Sequence, residues 1–127
     1  MPKIAKDETS TVYEMEGFVG RYEELEGYTI GFETYTEDAD PAPLFVGLPD
    51  DRCQCPHWGL VLSGRLTMHY ADHDETFTDG DAYTVAPGHT PEVSAGTEIV
   101  EFSPTEALER TMTVLAATMA AEQEPVR

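Results

Sequence analysis

Asp51-Asp-Arg-Cys-Gln-Cys-Pro-His57-Trp-Gly-Leu-Val-Leu-Ser-Gly64 holds both cysteines of the chain and one of its four histidines. In extended backbone, residues two apart point to the same side. Cys53, Cys55 and His57 can therefore converge on one point, with Asp51 one step behind. Two thiols and an imidazole form a soft sulfur-and-nitrogen donor set that suits zinc, copper or iron. Cys-x-Cys is a weak motif alone, because zinc modules usually separate their cysteines by two residues or more. Pro56 cannot donate to a strand ladder and fits a rim or bulge. Ser63-Gly64 then reads as a turn.

Working outward, short strand-like runs alternate with Gly, Pro and Asp. Thr11-Val-Tyr-Glu-Met, Phe18-Val-Gly-Arg-Tyr and Tyr28-Thr-Ile-Gly-Phe-Glu-Thr-Tyr precede a Pro/Asp-rich loop from Glu37 to about Asp51. In the third run Tyr28, Ile30 and Phe32 share one face, and Thr29, Gly31 and Glu33 the other. Arg65-Leu-Thr-Met-His-Tyr places Leu66, Met68 and Tyr70 together, Asp72-His-Asp forms a hairpin tip, and Glu75-Thr-Phe-Thr returns. Ala82-Tyr-Thr-Val-Ala, Glu92-Val-Ser and Glu98-Ile-Val-Glu-Phe follow. Many short strands spaced by turn residues predict a sandwich or small barrel. The chain ends in a helix from about residue 104 to about 122, with Ser103 as N-cap, Pro104 in the first position and Glu106 closing a capping box. Leu108, Met112, Leu115 and Met119 make one apolar stripe, read as core packing.

The 127 residues fit one domain, residues 11–127, behind a polar tail of residues 1–10. Seven basic against 25 acidic residues give a net charge of -18, which argues against nucleic acid and anionic membranes as partners. No run reaches the ~20 apolar residues of a membrane span, and the first residues lack the apolar core of a signal peptide. The expected location is the cytoplasm, where both cysteines stay reduced. Residues two apart in a strand also sit poorly for a disulfide.

The stretch from Asp51 to Pro91 resembles the cupin superfamily, small β-barrels in which a metal often sits inside. The first motif of that family is two histidines one apart, three or four residues, an acidic residue, six residues, then glycine. Anchored on Gly64, His57 falls at the acidic position, Cys53 at the second histidine and Asp51 at the first. Val61-Leu62-Ser63-Gly64 matches the family's Val-Leu-x-Gly turn. The second motif is glycine, five residues, Pro-x-Gly, two residues, then histidine. Gly80-Asp-Ala-Tyr-Thr-Val-Ala86-Pro87-Gly88 follows it, with Ala86 for the first proline. Pro91 occupies the histidine position, and His89 lies two residues earlier with the same parity.

The resemblance implies an all-β, cupin-like jelly-roll barrel with a C-terminal helix packed on its outside. It implies a metal on Cys53, Cys55, His57 and His89, with Asp51 an extra candidate. Zinc comes first, with copper or iron as alternatives. Four ligands would close the site; three would leave a position for water or a small molecule. The ligand would be a small molecule held inside the barrel. The alternative is a metal-free binding or sensing module in which the cysteines are core residues and His57 satisfies a backbone carbonyl. Small cupins of this kind commonly pair as homodimers through sheet edges and N-terminal strands. His73 is read as solvent-facing, and His69 as solvent-facing or, with the strand faces reversed, inward; Trp58, Tyr83 and Phe102 are candidate pocket walls or simple core. No Ser-His-Asp order, phosphate-cradling loop or isolated carboxylate pair stands out, and no enzyme class follows.

Overall fold

Period-two alternation sets the barrel wall. Along β5 (Arg65–His69), Leu66 and Met68 are buried while their neighbours face outward. The computed structural model describes residues 2–123. The other strands are β1 (Thr11–Met15), β2 (Phe18–Leu25), β3 (Tyr28–Tyr35), β4 (His57–Ser63), β6 (Asp74–Thr78), β7 (Ala82–Val85), β8 (Thr90–Val93) and β9 (Thr97–Pro104). Helix α1 follows at once (Thr105–Gln123). Two antiparallel sheets result, one ordered β1-β2-β3-β9-β4-β7 and one ordered β6-β5-β8. Val61, Leu66, Met68, Tyr83, Val85, Val93 and Ile99 from both sheets form the common core.

The turn at Gly64 packs directly against Thr97. Its φ is +96°, and a Cβ there would lie 2.2 Å from the Thr97 hydroxyl oxygen. Only glycine meets both demands.

The start of the helix differs from the expected one. Ser103 and Pro104 belong to β9, and the helix begins at Thr105. The Ser103 hydroxyl is not a cap but lies 2.7 Å from the Nδ1 of His57. Sheet pairing continues through Pro104, opposite Tyr28, and tertiary contact overrides the local capping signal. The helix packs on the barrel, where it touches β9 and β3 and lies against the segment 42–45 and the cysteine-bearing loop. There Ala107, Leu108 and Leu115 pack on Phe45, Cys53 and Cys55. Met112 leaves the apolar stripe and is exposed. At the other end of the chain, residues 6–8 form one 3-10 turn and Lys6 pairs with Glu98. No described helix is long and apolar enough to cross a membrane.

Candidate metal centre and adjoining cleft

Backbone pairing brings the second motif to the first. The N–H of Cys53 donates to the carbonyl of His89 at 2.8 Å, and the N–H of Gly88 to the carbonyl of Cys53 at 2.8 Å. His89 therefore stands beside Cys53, whereas Pro91 pairs with Met68 in the small sheet. His57 opens β4 and points inward. Cys53, His57 and His89 are all buried, and one ligand atom from each lies within 4.8 Å of the others. The Cys53 Sγ is 3.7 Å from His57 Nε2. Ligands at zinc-like bond lengths on tetrahedral corners stand about 3.4–3.8 Å apart, so this edge already has the size a metal needs.

The outer hydrogen bonds orient both imidazoles. His89 Nδ1–H donates to the carbonyl of Ala86 at 2.9 Å, which leaves Nε2 as the acceptor nitrogen. His57 Nδ1 faces the Ser103 hydroxyl at 2.7 Å and a Glu101 carboxylate oxygen at 3.3 Å. These two contacts orient the ring and turn its Nε2 toward Cys53. Burial pushes both rings down to about 4, so they are neutral near pH 7. Burial raises the Cys53 thiol, which stays protonated unless a cation offsets the charge of its thiolate. The Thr111 hydroxyl of α1 lies 3.6 Å from the same sulfur. The donor set fits a borderline-soft metal, and this cluster could bind one.

Cys55 is fully buried but stands outside this cluster. Its thiol donates to the carbonyl of Pro56 at 3.3 Å, and burial pushes it up to about 12. Asp51 is exposed and accepts from the Gly47 N–H at 3.1 Å. His69 lies between Asp74 and Glu92, both at 2.7 Å, and His73 is exposed beside Asp72. Trp58 and Phe102 are exposed, whereas Tyr83 is buried.

The structure also holds a carboxylate pair, contrary to expectation. On β9, Thr97, Ile99, Glu101 and Ser103 share the inward parity. Glu33 on β3 pairs with Ile99, and its neighbour Gly31 pairs with Glu101, so the two glutamates are diagonal neighbours on one face. Five strands contribute a transverse row through Glu101. It runs Tyr22 (β2), Gly31 (β3), Glu101 (β9), Gly59 (β4), Tyr83 (β7). Each glycine makes room for a tyrosine ring. A Cβ on Gly31 would lie 2.8 Å from the Tyr22 ring, and one on Gly59 would lie 2.5 Å from that of Tyr83. The Tyr83 hydroxyl donates to Glu101 at 2.6 Å, and the Tyr22 hydroxyl donates to Glu33 at 2.5 Å. Burial raises both carboxyls well above the usual range, and the Glu101 charge raises Glu33 further. The signal in the sequence was a carboxylate at the parity of Ile99. The pairing itself needs the register of β3 on β9.

Glu33, Glu101 and Ser103 line a cleft of about 490 Å³ between β1–β3 and α1. That volume suits a small molecule. Its floor is one hydrogen bond from the Cys53–His57–His89 cluster, through His57 to Ser103.

No protein-family model and no curated protein sequence matches the chain. Solved structures do resemble it. An RmlC-like cupin from Shewanella frigidimarina is 13% identical with a TM-score of 0.53, over 82% of this chain and 92% of that one. The chain has the cupin fold. A protein of unknown function from Rhizobium leguminosarum bv. viciae is similar with a TM-score of 0.57 at 16% identity, over 81% of this chain and 95% of that one. The polyketide cyclase RemF from Streptomyces resistomycificus gives 0.56 at 11% identity, over 82% and 79%. At such identities the likeness concerns the fold alone, and the chemistry rests on this chain's own residues.

Proposed function

We propose that this cupin-fold protein binds a divalent transition metal on Cys53, His57 and His89 and takes a small molecule in the adjoining cleft. Zinc is the first choice, with copper or iron as alternatives, because one thiolate and two imidazoles suit all three. The observation that carries the reading is the 3.7 Å separation of Cys53 Sγ and His57 Nε2, with both imidazoles oriented by hydrogen bonds at Nδ1. Three protein ligands leave a fourth position, at which a metal supplies Lewis-acid character. Cys55 serves the packing of α1, and a role as fourth ligand would require its side chain to leave the carbonyl of Pro56. His57 couples the cluster to the cleft through Ser103 and Glu101.

We further propose a cytoplasmic location, a compartment in which two cysteine thiols stay reduced. We also read it as a homodimer. Strand β1 forms one edge of the large sheet, and all five of its residues are exposed, Val12, Tyr13 and Met15 among them. An uncovered edge of this kind is a pairing surface.

Elemental analysis of tag-free protein tests the metal reading, with Cys53→Ala and Cys55→Ala alongside. About one equivalent of metal is expected in the wild type and in Cys55→Ala, and none in Cys53→Ala. A wild type that stays metal-free after reconstitution under reducing conditions overturns it. A metal-free binding or sensing module is then the better reading.

A further inference from the structure

The cleft has a one-sided chemistry. Every charged side chain that lines it is a glutamate: Glu23, Glu24, Glu33, Glu101 and Glu109. Its neutral polar groups are hydroxyls. Its apolar wall consists of Leu108 and Met112 from α1 and the rings of Tyr13 and Tyr22, which meet edge to face with centroids 5.8 Å apart. The floor is constructed rather than incidental. Gly31 and Gly59 leave gaps on both sides of Glu101, the rings of Tyr22 and Tyr83 enter them, and their hydroxyls fix the two carboxyl groups in place. An anion would face five acidic side chains and no cationic one. A neutral polyol would find hydroxyl partners but no cationic donor. A ligand that brings its own positive donors satisfies the carboxyl oxygens, and an apolar or aromatic body fits the tyrosine and methionine wall.

We propose that this cleft binds an organic cation, a primary amine with an apolar or aromatic body, whose ammonium group rests on Glu33 and Glu101. The inference depends on the reading of the cleft as the small-molecule site and not on the metal. Tyr13 on β1 and Tyr22 on β2 flank the body of the ligand, and Met112 of α1 covers it.

The test uses 2-phenylethylammonium as probe, with 2-phenylethanol and phenylacetate as neutral and anionic counterparts, in amine-free buffer at physiological ionic strength. Titration is followed by backbone amide NMR and by calorimetry, on wild-type protein and on the Cys53→Ala variant. The expected result is saturable one-to-one binding of the amine, with shifts confined to residues around Tyr22, Gly31 and Met112. The alcohol should bind roughly tenfold more weakly or worse, and the carboxylate should not bind. Glu33→Gln should weaken the amine roughly tenfold, while Glu75→Gln, on β6, leaves it unchanged. Should Glu33→Gln misfold, Met112→Ala at an exposed position of α1 decides, with a severalfold loss expected. Equal binding of amine and alcohol, or binding of the carboxylate in place of the amine, overturns the ligand class but leaves the cleft a small-molecule site. Unsaturable shifts spread over the acidic surface overturn it as well. If none of the three probes binds, the small-molecule reading of the cleft falls with it. Retained amine binding by Cys53→Ala, whatever its metal content, is expected because the cleft does not need the metal.

Discussion

Replacing Glu33 by glutamine removes one of two carboxyl groups that burial raises to about 7, and the consequence is a change of slope rather than a simple loss. In the metal-free protein two pairs of groups oppose each other. Burial lowers His57 and His89 from 6.5 to about 4. Below 6.5 their unfolded forms take up protons that the folded forms refuse. Their contribution is therefore complete above 6.5 and is lost as pH falls toward 4. Burial raises Glu33 and Glu101 from 4.5 to about 7. Their contribution is complete below 4.5 and is lost as pH rises through 7. Between 4.5 and 6.5 the two trends cancel to first order. Glu33→Gln removes one retained proton, and the histidines then outweigh the remaining carboxyl. Stability of the variant relative to wild type should rise by about 1.4 kcal/mol per pH unit at most. Partial exposure of Glu33 lowers that ceiling, so a relative gain of about 1–2 kcal/mol across the window is expected. The glutamine oxygen can still accept from Tyr22, and packing is conserved. Urea unfolding with a chelator present, at constant ionic strength and several pH values, reads the difference directly. Parallel profiles for variant and wild type, or a relative loss with rising pH, would refute the account of the carboxylate pair.

Three further outcomes follow from the same geometry. Ser103→Ala leaves the His57 ring held by Glu101 alone and should weaken metal affinity about 10–100-fold, measured by competition with a chelating dye. Unchanged affinity would show that the hydroxyl does not orient His57. Gly59→Ala places a Cβ 2.5 Å from the Tyr83 ring and 2.6 Å from the Val100 carbonyl. It should cost about 2–4 kcal/mol in urea unfolding, and a neutral result would mean that the transverse row is not packed as described. Leu66→Ala, at a side chain only 1% exposed between the two sheets, should cost about 2–5 kcal/mol by the same measure.

Local rules in the sequence determined most of the wall of this barrel. Strand parity placed Leu66 and Met68 inside, and Ser63-Gly64 and Pro87-Gly88 marked turns, because alternation and turn chemistry depend on residues a few positions apart. The same parity singled out Cys53, Cys55 and His57, but it could not separate the two thiols. That separation comes from the backbone pairing of Cys53 with His89, which turns Cys53 toward the histidines while Cys55 packs beneath α1. Ser103 shows the limit most plainly: a good N-cap by its neighbours, it became a strand residue bonded to His57 because β9 pairs with β3 as far as Pro104. The row Tyr22, Gly31, Glu101, Gly59, Tyr83 draws on five strands, and no local pattern links them. Register between distant strands is decided by the whole core at once, so the carboxylate pair and its tyrosines belong to the tertiary structure alone.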